Sequence, residues 1–303
     1  MNRLWEWYAG DNDSRIARYA SNRKGDSEYI EMPNNRPFDF LKSVFIFFAG
    51  LAIILAIWQI YAWWANEIDG SLLAFPYPME CVERLIQYFT QEELIFGVPL
   101  IEHVQASLGR WFEAFFMSAV CGVTLGLIIG CFKQIYPIAI SSVNIIQMIP
   151  GAAWIPVAIL LLGIGDAPAV FIIWLISFVI ITINVSGGIR RIPEVYLRAA
   201  DMMGANIFMK LFKVIIPFAL LDTINGLRLG MGSAWRVLIS AEMIIGTGVG
   251  VGFVISELRG VLDYVGAFAC IMIIGMIGLL IDKIVFVNIE KYVRHELNLD
   301  EDV

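Results

Sequence analysis

The sequence predicts an all-α integral membrane protein with about six transmembrane helices. The chain of 303 residues is 59% hydrophobic and 16% charged, whereas soluble proteins carry about 25% charged residues. Its mean hydropathy is +0.74. The apolar residues form runs of about 20, which suits spanning helices and not the short alternating strands of a membrane β-barrel. A soluble enzyme and a barrel are therefore set aside.

Six apolar segments have the length of a membrane span, and short polar loops separate them. They are residues 40–64, 111–132, 137–163, 168–187, 217–246 and 266–288. With the N-terminus inside, the only basic residues of the outer loops are Arg84, Arg110 and Arg259. The positive-inside rule then predicts that both termini lie in the cytoplasm. Residues 1–39 form a cytoplasmic extension, residues 40–291 the transmembrane domain and residues 292–303 a cytoplasmic tail.

The outer loop between the first two spans predicts a short amphipathic helix. From Leu85 to Ile95, apolar residues alternate with glutamate and glutamine, and Pro76 and Pro78 precede them. Proline is typical of a helix start. We expect this helix to lie along the membrane or against the bundle.

The cysteines and histidines indicate no metal site. The four cysteines form no CxxC pair, and His103 and His295 lie far apart in predicted loops. This pattern favours neither a disulfide framework nor a zinc site.

The internal loop 190–213 predicts a helix–turn–helix on the inner face of the membrane. Apolar residues recur at helical spacing after Pro193, and Gly204 interrupts them. Such a half-apolar pair needs a cover, which is either a cytoplasmic partner or the chain's own bundle.

This loop also carries a specific pattern. Its elements, in order, are Arg198-Ala199-Ala200, three residues, Gly204, nine residues, and Val214-Ile215-Ile216-Pro217. The pattern resembles the cytoplasmic loop signature of binding-protein-dependent ABC importer permeases, which reads Glu-Ala-Ala, three residues, Gly, nine residues, Ile-x-Leu-Pro. The spacing matches throughout.

Further segments resemble the nitrate, sulfonate, taurine and bicarbonate branch of that family, and together they extend over residues 40–291. They include Ser107-Leu108-Gly109-Arg110, Ile149-Pro150-Gly151-Ala152-Ala153-Trp154-Ile155-Pro156, Gly226-Leu227-Arg228-Leu229, Ala234-Trp235-Arg236 and Ala241-Glu242-Met243.

The resemblance implies a MetI-like, type I importer permease without chemistry of its own. Family permeases lie in the prokaryotic inner membrane and pair, and a homodimer is expected here. Each inserts this loop into an ATP-hydrolysing subunit while an external binding protein delivers the solute. Because the chain has no GxxxxGK(S/T) loop, ATP and Mg²⁺ belong to the partner ATPase. The coupling residues implied are Glu194, Arg198, Ala199, Ala200, Gly204 and Pro217.

One position departs from the signature, because Arg198 stands where the family has an acidic residue. Glu194 lies four residues earlier, so we expect it to pair with Arg198 across one helical turn.

Charged residues in the fifth predicted span are candidates for the solute pathway, because ionisable groups are costly in a bilayer. Arg228, Arg236 and Glu242 lie there, and an arginine fork suits the oxygens of a small oxyanion. The alternative is a structural ion pair, for instance of Arg236 with Glu242 or Asp282.

The third predicted span is expected to be broken, because Pro150-Gly151 and Pro156 interrupt its backbone hydrogen bonds. Gln147 and the polar residues before it then either bind solute oxygens or join helices.

Two other functions are weighed, an ion-coupled secondary carrier and an integral-membrane enzyme. The sequence shows neither a clear inverted repeat nor a Ser-His-Asp set. A permease is expected to co-purify with a nucleotide-binding subunit, whereas a carrier or an enzyme purifies alone.

Overall fold

The computed structural model of the chain describes residues 36–69, 74–90 and 94–283. The predicted extensions therefore lie almost entirely outside the described residues. The chain divides into two compact units, Met1–Trp58 and Gln59–Val303.

Helix α1 (Arg36–Trp63) begins in the first unit, and a π-helical turn (Trp64–Asp69) follows it. In the first unit its large apolar side chains are exposed, among them Phe45, Ile53 and Ile57. Such a surface is expected of a helix that faces lipid.

The second unit is built from helices throughout its described part. They are α2 (Pro78–Phe89), α3 (Leu100–Cys131), α4 (Tyr136–Met148), α5 (Ile155–Leu162), α6 (Asp166–Arg190), α7 (Glu194–Met202), α8 (Ile207–Lys210), α9 (Ile216–Ile245), α10 (Val251–Gly260) and α11 (Tyr264–Ile281).

Helix α2 packs against the bundle, which is one of the two positions expected for it. Leu85 and Tyr88 are buried in a core cluster with residues of α10 and α11, and Arg84 forms an ion pair with Asp263 at 3.2 Å. The helix ends at Phe89, so Leu94 and Ile95 are not part of it, contrary to the sequence prediction. Ile95 instead pairs with Val98 in a short turn.

Helices α3, α6 and α9 form the centre of the bundle. The α3–α6 contact depends on Gly122, Gly126 and Gly130, which are spaced at four residues. A Cβ atom on Gly126 would lie 2.7 Å from the Cβ atom of Val185. Only glycine therefore permits this approach of the two helices.

Four described helices are long and apolar enough to cross a membrane, and a bent pair makes a fifth if it counts as one span. They are Phe45–Ile68, Leu100–Cys131, Asp166–Arg190 and Tyr264–Ile281, with Tyr136–Met148 and Gly151–Leu162 as the pair. The remaining predicted span coincides with α9, whose 30 residues include charged side chains that lower its hydropathy. A total of six spans stays a prediction.

The break in the third predicted span is confirmed. Helix α4 ends at Met148, a 3₁₀ turn (Gly151–Trp154) follows Pro150, and the two halves meet at 93°.

Candidate functional site

The segment after α6 is the predicted helix–turn–helix. Helix α7 ends at Met202, and Gly204 then adopts φ +74°, a backbone conformation that favours glycine. Asn206 caps α8, since its side chain accepts a hydrogen bond of 2.8 Å from the backbone N–H of Met209. A π-helical turn (Leu211–Ile215) then leads into α9, where Pro217 lies in the first turn.

Ion pairs hold α7 in place. Arg198 donates to Glu194 at 2.7 Å, which confirms the pairing expected from the sequence, and Lys133 donates to the same carboxylate at 2.5 Å. The pKa of Glu194 falls to about 2, because both cations favour its ionised form. Glu194 thus connects α7 to Lys133, two residues beyond the end of α3.

The helix pair presents apolar side chains to its surroundings. Met202 is 84% exposed and Met203 is 81% exposed. Val195, Tyr196, Ile207 and Phe208 are exposed as well, whereas Ala200 faces inward and is buried. An exposed apolar surface of this kind is typical of a binding surface.

Arg228 is engaged in an ion pair between α9 and the end of α11. Its Nε and Nη2 atoms donate to the two carboxylate oxygens of Asp282 at 2.9 and 3.0 Å. This bidentate geometry is the strongest that an arginine forms with a carboxylate.

Arg236 does not form either of the ion pairs considered for it. Asp282 binds Arg228, and Glu242 binds Arg110. The described residues give the Arg236 guanidinium one hydrogen-bond partner, the Ser233 hydroxyl at 2.9 Å. The Arg236 side chain is exposed.

Both arginines line one cavity of about 210 Å³ between α9 and α11. The other lining residues are Met231, Gly232, Trp235, Gly278, Ile281 and Asp282. Arg228, Gly232 and Trp235 follow one another at four and three residues in α9, so they share one helix face, and Arg236 lies beside that face.

Glu242 lies in a buried polar cluster at the far end of α9. Its side chain is 0% exposed. Arg110 donates to it at 2.7 Å, Ser107 donates at 2.8 Å, and the backbone N–H of Gly252 donates at 3.0 Å. Arg110 also donates to Asp166 at 2.7 Å. The cluster therefore joins α3, α6, α9 and α10.

The glycine-rich segment after α9 wraps around this carboxylate. A Cβ atom on Gly250 would lie 2.7 Å from the Glu242 carboxyl group. The backbone N–H of Gly250 donates to Nδ1 of His103 at 3.1 Å, so the proton of this ring lies on Nε2, next to the Ile95 carbonyl.

Sequence reasoning missed His103 as part of this cluster and placed it in a loop. It lies in α3 and is buried, because α3 begins at Leu100, well before the predicted span. A signal was present: His103, Ser107 and Arg110 have the spacing of one helix face.

The broken helix lies against α9 next to Arg236. A Cβ atom on Gly151 would lie 2.9 Å from the side chain of Val237, which directly follows Arg236 in the chain. Gln147 and Pro150 are exposed. Ser141 and Ser142 donate to carbonyls of their own helix, so these two hydroxyl groups do not join helices.

Long apolar helices, a buried polar cluster and an exposed helix pair in a loop are typical of a multi-pass membrane transport component. The family model of the binding-protein-dependent transport system inner membrane component matches residues 122–295, which is more than half of the chain. The chain belongs to this family of ABC importer permeases, which are transport proteins and not enzymes.

Two curated relatives agree with the branch indicated by the sequence motifs. The chain is 29% identical over 240 residues to the nitrate import permease protein NrtB of Synechocystis sp., a match that covers 78% of this chain and 84% of NrtB. It is 28% identical over 233 residues to the taurine transport system permease protein TauC of Escherichia coli, covering 77% of this chain and 82% of TauC.

A solved structure has the same fold. It is an inward facing conformation of the MetNI methionine ABC transporter, with a TM-score of 0.54 and 21% sequence identity. The match covers 65% of this chain and 95% of the other.

Proposed function

We propose that this chain is the translocation subunit of an ATP-driven importer, which passes a small oxyanion from an external binding protein to the cytoplasm. The importer contains two copies of this chain and two ATPase subunits that bind ATP and Mg²⁺. Both termini lie in the cytoplasm.

The observation that carries this proposal is the exposed apolar surface of α7 and α8. Met202 and Met203 project from a loop in which the family signature occurs. Exposure of such apolar side chains to water is unfavourable, so the hydrophobic effect stabilises a complex with a partner that covers them. A groove on an ATPase subunit is a suitable cover.

The solute class is supported by the relatives and by the charge of the bundle. The named relatives import nitrate and taurine, both of which present oxygens of an anionic group. The Arg236 guanidinium offers a planar set of N–H donors that fits such oxygens.

A charge introduced directly after α7 tests whether an ATPase subunit binds this surface. Met203→Glu is expected to leave the chain folded, because residue 203 is almost fully exposed. We expect the ATPase subunit to be lost from the complex purified in mild detergent, together with ATP-driven uptake in proteoliposomes.

Met79→Glu is the matched control, because Met79 is another exposed methionine on a short helix, at 62% exposure. This variant is expected to retain the ATPase subunit. A wild-type chain that purifies alone and transports without ATP would overturn the proposal in favour of an ion-coupled carrier.

A further inference from the structure

We propose that the cavity at Arg236 is a binding site for a small oxyanion inside the membrane, with Arg236 as the ligand-binding residue and Arg228 as a fixed neighbour. This proposal rests on the proposed function and adds a specific site to it.

The cavity has the size of a small solute. Its volume is about 210 Å³. This space is large enough for several water molecules, or for a small oxyanion with part of its hydration.

Two glycines keep this space open. Gly232 and Gly278 line the cavity from opposite helices, and neither fills it with a side chain. Trp235 forms a fixed wall, because its indole N–H donates to the Ile274 carbonyl at 3.1 Å.

The charge of the cavity is unbalanced among the residues that line it. They include two arginines and one carboxylate, Asp282. Asp282 already binds Arg228 through two hydrogen bonds, so this pair is neutral. Arg236 supplies the remaining positive charge, and a neutral serine hydroxyl is the partner that the described residues give it.

Arg236 lies within α9, the fifth predicted span, and not at its end. It is nine residues from Ile245, the last residue of α9, which corresponds to about 13 Å along the helix. A charge within the hydrocarbon region is costly unless it is paired or wetted. An anion that enters from water reduces this cost, and its departure leaves a wetted arginine, so the site binds weakly and exchanges readily.

A nitrate titration tests the site in the purified complex of this chain with its ATPase subunit. The thermal unfolding midpoint is measured as nitrate replaces chloride at constant ionic strength. A ligand that binds the folded state raises this midpoint. We expect a rise in the wild type, none in Arg236→Gln, and a larger rise in Asp282→Asn, which leaves Arg228 without that carboxylate.

Two matched variants control for charge and packing. Arg259→Gln removes an exposed arginine of α10 outside the cavity and is expected to respond to nitrate like the wild type. Gly232→Ala adds a methyl group 3.7 Å from the Arg236 guanidinium and is expected to weaken the response without a change in charge.

Uptake by the reconstituted complex gives the second readout. Arg236→Gln removes a charge-assisted hydrogen bond and is expected to slow uptake about tenfold or more while the complex still contains its ATPase subunit. An unchanged nitrate response and unchanged uptake in Arg236→Gln would overturn the site. In that case the proposed function still holds if the complex retains its ATPase subunit and its uptake depends on ATP. A chain that purifies without an ATPase subunit would overturn the proposed function itself.

Discussion

Helix α9 carries charges in two contrasting environments. Glu242 is fully buried and receives hydrogen bonds from Ser107, Arg110 and the Gly252 backbone. Arg236, less than two turns away, is exposed and has one neutral partner among the described residues. An ionisable residue in a membrane helix is therefore not by itself a pathway residue. Its hydrogen-bond partners determine its role: Glu242 joins helices, and Arg236 faces a cavity.

The largest effect is expected from Glu242→Ala. The substitution leaves Arg110 buried without its main carboxylate and the Gly252 N–H without an acceptor, so the free energy of unfolding is expected to fall by about 3–5 kcal/mol. The midpoint of unfolding in mild detergent measures this loss.

Glu257→Ala is the control for this variant, since Glu257 lies on α10 and is exposed. Equal stability of the two variants would show that the Glu242 cluster does not hold the bundle together.

Gly126→Ala is expected to have the next largest effect on the free energy of unfolding. It tests whether apolar packing of α3 against α6 stabilises the bundle as much as the polar cluster does. The added Cβ atom would lie 2.7 Å from the Val185 Cβ atom, so α3 and α6 must separate. Overpacking of this kind costs about 1–3 kcal/mol.

The same measurement on Gly109→Ala provides the reference, because a Cβ atom on Gly109 in α3 meets nothing within 4 Å. The α3–α6 contact would be looser than described if Gly126→Ala unfolded at the same midpoint as Gly109→Ala.

A smaller effect is expected from the Arg228–Asp282 pair, which lines the same cavity as Arg236. Asp282 is 48% exposed, so solvent screens the interaction, and a double-mutant cycle of Arg228→Gln and Asp282→Asn is expected to give a coupling of about 0.5–1 kcal/mol. Unfolding midpoints of the four proteins supply the coupling. A value near zero would mean that this ion pair does not stabilise the contact between α9 and the end of α11.

The smallest effect is expected from Glu194→Gln, because the ion pairs of α7 are exposed. The pKa of Glu194 is lowered from 4.5 to about 2, so these pairs contribute fully above pH 4.5 and are lost as the pH falls toward 2. The stability difference between wild type and variant is therefore expected to stay constant from pH 8 to pH 5. A difference that changes in that range would contradict the assignment of Lys133 and Arg198 as partners.

Local patterns predicted the local features of this molecule. The turn at Gly204, the Glu194–Arg198 pair and the break at Pro150 each depend on residues within a few positions of one another. Backbone geometry fixes such relations, so one sequence is sufficient to infer them.

The long-range pairs could not be inferred in the same way. Arg110 and Glu242, or Arg228 and Asp282, meet only because of how α3, α9 and α11 pack, and the sequence indicated other partners for Arg236. The start of α3 was also misplaced. Its first turns contain Glu102, His103 and Gln105, and a hydropathy window detects the apolar centre of a helix and not its polar end.

The glycine contact between α3 and α6 has a mechanical consequence. It joins two long helices into a stiff rod, and the 25 residues of α6 extend about 37 Å. One end of the rod meets α7 through Lys133 and Glu194, and the other end carries Arg110 and Asp166. We therefore expect a displacement of α7 to reach the Glu242 cluster as a rigid-body movement of α3 and α6, without bending of either helix.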